Sequence, residues 1–400
     1  MQFPPALRHR SYRFFFCGLM ISQMGVWMQG IAMSWLVYRL TDSVFMLGIV
    51  GFASQIPVLF LAPLGGLLAD RFNRHKLIMA TQAVAMCQAA TLATLTLLGW
   101  IQPWHLIALA LLLGTIYAID TPVRQSMTAR LVEDPKNLAS AITLNGLGFN
   151  LSRLVGPSVG GLVVASYGEG VCFLINVFTY AITIGFLAQL RMQSGGQIRS
   201  LAGGLSAGFR YAFGTLNMRV MLLLVGTIAL CGLPYTVLLP YFAKNVYGGN
   251  ADSLGVLMSA LSLGGISAAL YSLGRRTMPA VPGLIYKAAI MLGMMMIALP
   301  QMPGLWWAIL PIATAGGCTF LIGNGTTTMM QTLVPDELRG RMMSIFSMLW
   351  FGLVPLGSLI AGTLADVIGP EHTVAFGGLI TVISGAMFRP YVPRLRGLFK

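Results

Sequence analysis

Long apolar runs alternate with short charged or Gly/Pro-rich breaks along the whole chain. Residues 43–69 contain no Asp, Glu, Lys or Arg, and neither do residues 77–119. Because about 20 apolar residues cross the hydrocarbon of a bilayer, and because backbone polar groups there must be paired internally, such runs indicate membrane-spanning helices. The pattern predicts twelve of them, at approximately 14–38, 46–69, 77–98, 104–120, 138–165, 171–190, 219–243, 253–273, 283–299, 304–330, 342–365 and 373–389.

Composition supports an all-α integral membrane protein. Hydrophobic residues make up 56% of the 400 positions, charged residues only 9%, and the mean hydropathy is +0.78. Soluble domains carry about 25% charged residues. The five cysteines are scattered singly within spans and the four histidines lie at predicted span ends or in loops. We therefore expect neither a metal site nor a cofactor.

The net charge of +14 is unevenly placed. In the twelve-span arrangement only Arg39 and Lys244 fall on one side of the membrane, whereas almost all other Lys and Arg residues fall on the opposite side. An excess of Lys and Arg marks the cytoplasmic side. We therefore expect both termini in the cytoplasm, and we read the surplus charge as a determinant of topology and not as a nucleic-acid footprint.

The chain repeats itself weakly at half its length. Leu131-Val132, followed by acidic residues and Gly160, recurs 202 residues later as Leu333-Val334, followed by acidic residues and Gly362. Such duplication predicts two six-helix bundles, 1–190 and 219–400, with a substrate site between them. The segment 191–218 would be a cytoplasmic linker containing a short amphipathic helix.

The charged turn between spans 2 and 3, residues 65–76, resembles the signature loop of the major facilitator superfamily. The resemblance rests on Gly66, Asp70 and the adjacent Arg71, and it departs from the family pattern at Asn73 and His75. It implies two pseudo-symmetric six-helix bundles in a bacterial cytoplasmic membrane, alternating access, and a monomer. The tracts 120–125 and 200–211 are similar to those of drug and siderophore exporters, including enterobactin exporters.

The resemblance also implies a cytoplasmic latch. In the family, the Asp that corresponds to Asp70 caps the cytoplasmic N-terminus of span 11. The Arg next to it pairs with an acidic residue at the base of span 4. In this chain the latch would comprise Gly66, Asp70, Arg71, Arg74, Asp120 and Arg124. The alternative is that these charges only anchor the topology.

Span 5 carries the pattern GPxxGG as Gly156, Pro157, Gly160 and Gly161. It resembles the antiporter motif of exporters, although Ser152 stands where the family has a further glycine. Glycines permit close helix packing and Pro permits a bend. Ordinary Gly-rich helix packing is the alternative interpretation.

Arg153 lies in the middle of span 5, where a charge is costly unless it faces a wet cavity or a partner. It would bind an anionic group of the substrate, or pair with Asp120 or backbone carbonyls. Further polar and aromatic side chains within spans would line an apolar cavity. With Arg153, the candidates for substrate binding are Gln23, Trp27, Gln55, Asn145, Asn150, Asn176, Tyr180, Tyr235, Asn324 and Gln331.

These features favour a secondary transporter that exports an amphipathic small molecule, such as a siderophore or a drug, in exchange for protons. Anionic cargo is favoured over cationic cargo because Arg153 is embedded in a span that contains no carboxylate. A lipid or lysophospholipid flippase of the same fold is the alternative. A membrane enzyme or a sensor is disfavoured because no P-loop, HExxH or nucleophile-elbow pattern occurs.

Overall fold

A computed structural model describes residues 7, 9–131, 135–190, 205–274 and 280–398. Within these residues, twelve helices or helical segments are long and apolar enough to cross a membrane, which confirms the predicted spans. The first six are α1 (Arg10–Thr41), α2 (Val44–Arg71), α3 (Arg74–Leu97), α4 (Pro103–Leu131), α5 (Pro135–Tyr167) and α6 (Glu169–Ala188).

The second set of elements begins at Leu205. A short helix, α7 (Leu205–Gly214), lies in the segment where an amphipathic linker helix is expected. The remaining elements are α8 (Leu216–Thr227) and its irregular continuation, α9 (Ala251–Gly274), α10 (Val281–Ala298), α11 (Leu305–Leu333), α12 (Asp336–Ile368), α13 (Pro370–Phe388) and the short α14 (Val392–Gly397).

Matching helix lengths in the two halves support the internal duplication. Helices α4 and α11 each have 29 residues, and α5 and α12 each have 33. Helix α5 is joined to α6 through Gly168, and α12 is joined to α13 through Gly369, with φ of 84° and 89°. Since this left-handed conformation favours glycine, both halves use the same tight turn.

The chain divides into two compact units. The first unit contains Met1–Thr41 and Ala53–Ser200, and the second contains Asp42–Phe52 and Leu201–Lys400. In the first unit, α1 packs against α5 and α6, and α3 packs against α4 and α6. Part of its core is an apolar cluster that includes Tyr12, Phe15, Met127 and Leu187.

In the second unit, α9 packs along α11, and α10 packs along α11 and α13. A Cβ atom added to Gly264 or Gly316 would collide with a carbonyl oxygen of the facing helix, so α9 and α11 approach backbone to backbone. The start of α2, up to Phe52, also belongs to this unit. There Gly48 lies against Gly362 of α12, where an added Cβ would be 2.9 Å from the Gly362 Cα atom.

The seventh span is not the regular helix that its apolar run predicts. After α8 the chain forms a π-helical turn, Ile228–Gly232, a 3-10 segment, Pro234–Leu238, a single α turn, and a second π turn, Phe242–Val246. Pro234 and Pro240 lack the N–H that a regular helix needs. The first π turn is closed by the Leu233 N–H, which donates to the Ile228 carbonyl oxygen at 2.9 Å.

The two cations outside the main basic side both form ion pairs. Arg39, in the last turn of α1, donates to both carboxylate oxygens of Glu169 at 2.7 and 3.1 Å, and Glu169 is buried. Lys244 donates to Asp42 at 2.9 Å, and both side chains are exposed. Both pairs lie at turns that follow odd-numbered spans, as do the exposed Trp100, Trp104, Trp306 and Trp307. Tryptophan is typical of the membrane–water interface.

Candidate functional site

A row of small residues on α5 holds α1 at close range. The residues are Gly148, Ser152, Gly156 and Gly160, spaced four apart, and they face α1. A Cβ at Gly156 would lie 2.6 Å from the Trp27 Cβ, and one at Gly160 would lie 2.9 Å from the Met28 Cα. The predicted exporter motif residues Gly156 and Gly160 therefore lie directly at a helix contact, with Pro157 buried beside them.

Ser152 belongs to the same row, although the family pattern has glycine there. Its side chain is fully buried and its hydroxyl donates to the Met20 carbonyl oxygen at 3.4 Å. A small hydroxyl is therefore accommodated because it finds a backbone acceptor on the facing helix. The four-residue repeat that includes this serine is a signal that the GPxxGG pattern alone misses.

Arg153 directly follows Ser152 of this row and lies over the indole ring of Trp27. The guanidinium carbon is 5.6 Å from the ring centroid, within the range of a cation–π contact. Phe149, one turn earlier on α5, meets the same ring edge-on at 5.9 Å between centroids. At 1.5 Å per residue, Arg153 is about 14 Å from Leu144, where the apolar part of α5 begins.

The Trp27 ring also carries an unused donor. Its Nε1 atom is buried and has no hydrogen-bond partner among the described residues. Arg153 and Trp27 are each half-buried, so a cation, an aromatic face and an N–H lie together within the membrane-spanning part of the first unit. This arrangement suits an anion attached to an apolar or aromatic body.

Asp120 lies at the centre of a second polar cluster. Its carboxylate accepts hydrogen bonds from Thr81 Oγ1 at 2.7 Å and Gln82 Nε2 at 2.9 Å, and it forms an ion pair with Arg124 one turn along α4. Ser22 of α1 donates to Gln82 Oε1 at 3.2 Å. The cluster thus joins α1, α3 and α4. Both charges are largely buried, with 4% of the Asp120 side chain and 13% of the Arg124 side chain exposed.

A third cluster, formed by amide side chains of α1, α3 and α6, also contacts α4. Asn176 donates to Gln29 at 2.7 Å, Gln29 donates to Gln88 at 3.1 Å, and Gln88 donates to the Leu109 carbonyl oxygen of α4. Thr179 donates to the Asn176 side-chain oxygen at 2.7 Å. Paired amides of this kind connect membrane helices. Gln88 and Thr81 were not among the candidates, although polar residues in an otherwise apolar span are the signal for such contacts.

Only part of the predicted cytoplasmic latch lies within the described residues. The side chains of Gly66, Asp70 and Arg71 lie outside the described residues, whereas Arg74 is half-buried at the start of α3. Asn73 caps α3, because its side chain accepts from the N–H groups of His75 and Lys76 at 3.0 and 3.3 Å. This capping explains an asparagine where the family pattern has glycine.

The other substrate-binding candidates fall into three groups. Gln23, Gln55 and Asn150 are half-buried in the first unit, and Asn150 donates to the Gly146 carbonyl oxygen. Asn145 joins Tyr12 to Thr128, and Asn176 and Tyr180 are buried in the interior of this unit. In the second unit, Tyr235 is buried within the irregular seventh span, and Asn324 and Gln331 are exposed on α11.

Curated relatives resemble the chain over nearly its full length. The staphyloferrin A transporter of Staphylococcus aureus is 25% identical, covering 94% of this chain and 95% of that protein. The multidrug efflux pump Tap of Mycolicibacterium fortuitum is 27% identical, with 92% of each covered. The enterobactin exporter EntS of Shigella boydii is 24% identical, covering 97% of this chain and 93% of that protein.

A solved structure of a bacterial homologue of the human lysosomal transporter Spinster superposes with a TM-score of 0.75 and 14% identity, covering 100% of this chain and 99% of the other. The family model described as "Transmembrane secretion effector" matches residues 2–396. The chain therefore belongs to the transmembrane secretion effector family of the major facilitator superfamily and is a multi-pass inner-membrane transporter.

Proposed function

We propose that this transporter exports an amphipathic, anionic small molecule of the siderophore or drug class, in exchange for protons, by alternating access. The observation that carries the proposal is the Arg153 guanidinium, placed over the Trp27 ring inside a membrane-spanning helix. A charge at such depth is retained where it binds something. Relatives named for staphyloferrin A, enterobactin and multidrug efflux support this class of cargo.

Arg153 would bind the acidic oxygens of the cargo, because a guanidinium presents several donors in a planar fork. Trp27 and Phe149 would contact its apolar part. The row Gly148, Ser152, Gly156 and Gly160 fixes the distance between α1 and α5 and so fixes the position of Trp27 relative to Arg153. The remaining candidates would line the path in the two predicted bundles, 1–190 and 219–400, on either side of the linker 191–218.

Coupling would involve the predicted cytoplasmic latch. Asp120 and Arg124 form a largely buried ion pair on α4, and hydrogen bonds through Thr81, Gln82 and Ser22 connect this pair to α3 and α1. Separating such a pair would leave a buried charge without its partner. We propose that Asp70, Arg71 and Arg74 complete this region on the cytoplasmic side, where both termini also lie. A carboxylate at a helix N-terminus contributes about 0.3–1 kcal/mol, enough to bias two conformations of similar free energy.

The test measures flux in proteoliposomes under an imposed pH gradient, with siderophores and with anionic and cationic drugs as cargo. Arg153→Gln removes the charge, and Arg153→Lys keeps the charge but not the fork. Because a hydrogen bond to a charged group contributes about 1.5–3 kcal/mol, we expect Arg153→Gln to lower transport of anions about ten- to hundredfold.

Lys287→Gln is the matched control, since it neutralises an exposed cation on the membrane-spanning α10. It should leave transport unchanged. The proposed cargo class would be contradicted if the unmodified protein transported cations but no anion, and if Arg153→Gln transported the same cations at an unchanged rate. A transport rate that does not change with the pH gradient would contradict proton coupling.

A further inference from the structure

The second unit contains an apolar cavity beside the irregular seventh span, which is distinct from the cluster around Arg153. It is a half-open groove and not an enclosed void. The wall is formed by the π and 3-10 turns of the seventh span, by α12 and α13, and by Met296 of α10.

Water does not suit this cavity. Three of the lining residues have side chains with a polar atom, namely Cys231, Tyr235 and Thr373. The Thr373 hydroxyl already donates to the Gly369 carbonyl oxygen at 2.8 Å. A buried water needs two to four polar partners, and purely apolar cavities stay dry and bind apolar molecules. The chemistry of the wall therefore selects a hydrocarbon occupant.

The cavity continues onto apolar surface of the membrane-spanning helices. Two of its lining residues are exposed, Ile360 of α12 by 53% and Phe376 of α13 by 51%. Further along α13, Leu379, Ile383 and Met387 are also exposed. In a multi-pass membrane protein the medium that contacts such a surface is lipid. An acyl chain can therefore enter from the bilayer without crossing a polar barrier.

The backbone next to the cavity depends on close packing. A Cβ at Gly377 would lie 2.6 Å from the Cys231 carbonyl oxygen, and one at Gly357 would collide with the Leu230 carbonyl oxygen. These two carbonyls lie in the π turn, where the regular hydrogen-bond pattern changes. Glycines of α12 and α13 thus hold the irregular span, and an occupant of the cavity would fill the space left between the same elements.

We propose that this cavity binds one acyl chain of a membrane lipid, which packs against the irregular part of the seventh span and stabilises it. The occupant is a resident lipid and not the exported molecule. The proposal does not depend on the cargo or on Arg153. Transport would consequently depend on acyl-chain length, since a chain too short to reach Met296 leaves part of the volume empty.

Photo-crosslinking tests the site. The protein is reconstituted in nanodiscs that contain phosphatidylcholine with a diazirine near the end of one acyl chain, and adducts are mapped by mass spectrometry. Adducts should concentrate on residues 230–238 and 373–380. Their yield there should be about tenfold higher than on the exposed face of α13 near Met387, because a binding preference of 1.4 kcal/mol corresponds to a tenfold ratio. Ala361→Phe places a ring in the cavity and should remove this excess.

Ala386→Phe is the matched control, because Ala386 is exposed on α13 and lies outside the cavity. It should leave the adduct pattern unchanged. Adducts spread evenly over the exposed surface of the unmodified protein would overturn the proposal, and this readout does not depend on whether Ala361→Phe folds. An excess that persists in a folded Ala361→Phe protein would overturn it as well.

Discussion

Gly156→Ala is the most direct test of the packing that positions Trp27 beneath Arg153. The added Cβ would lie 2.6 Å from the Trp27 Cβ and 3.0 Å from the Met24 carbonyl oxygen. Real Cβ atoms do not approach other atoms as closely as 2.6 Å, and neither contact is the free end of a flexible side chain. Helix α1 must therefore move away from α5.

The magnitude follows from two opposing terms. Alanine is favoured over glycine within a helix by about 0.5–1 kcal/mol. Overpacking of a close contact costs about 1–3 kcal/mol. At Gly146, on the same helix, a Cβ meets nothing within 4 Å, so only the first term applies. We expect Gly146→Ala to be neutral or slightly stabilising, and Gly156→Ala to be less stable than Gly146→Ala by about 1–3 kcal/mol.

Unfolding of both variants in the same detergent, followed by tryptophan fluorescence, measures this difference. Cargo binding should weaken in Gly156→Ala alone, because the ring of Trp27 moves with α1. Equal stability of Gly156→Ala and Gly146→Ala would refute the close approach of the two helices. A destabilised Gly156→Ala protein with unchanged cargo affinity would refute the link between this packing and recognition.

Three further outcomes follow from the ion pairs. Asp120→Asn should destabilise the protein by about 3 kcal/mol, since it leaves Arg124 largely buried without its charge partner. Adding Arg124→Gln to this variant should restore part of the lost stability. Thermal unfolding that shows no change for Asp120→Asn would contradict the buried ion pair. Glu169→Gln should cost about 1–3 kcal/mol, because the carboxylate is buried and bound through two oxygens. Lys244→Gln should cost at most about 1 kcal/mol because its pair is exposed, and an equal loss for these two variants would contradict the difference in burial.

The arrangement of spans was predictable from the sequence because the energetic rule is local. Each apolar run must cross the bilayer and each charged turn must stay outside it, so run length alone locates a helix such as α3 or α10. The seventh span shows the limit of this rule. Its run is apolar throughout, yet Pro234 and Pro240 convert it into π and 3-10 turns whose form depends on the glycines of α12 and α13 that pack against it.

The site was predictable only in part. Arg153 stands out because a charge in a span is costly, which is again a local argument. Its contact with Trp27, 126 positions away, depends on how α1 and α5 pack. The hydrogen-bond partners of Asp120 were unpredictable for the same reason. Thr81 and Gln82 lie on α3, and nothing in the local sequence indicates that they contact α4. Asn73 departs from the family pattern, and the hydrogen bonds of its cap supply the reason.

The proposed function is the removal of an anionic compound from the cell through Arg153. The most direct measurement is mass spectrometry of compounds retained by cells that lack the gene, complemented with the unmodified protein, Arg153→Gln or Lys287→Gln. We predict that an amphipathic anion accumulates without the gene and is cleared by the unmodified and Lys287→Gln proteins but not by Arg153→Gln. Clearance of every retained compound by Arg153→Gln as fast as by the unmodified protein would contradict this proposed function.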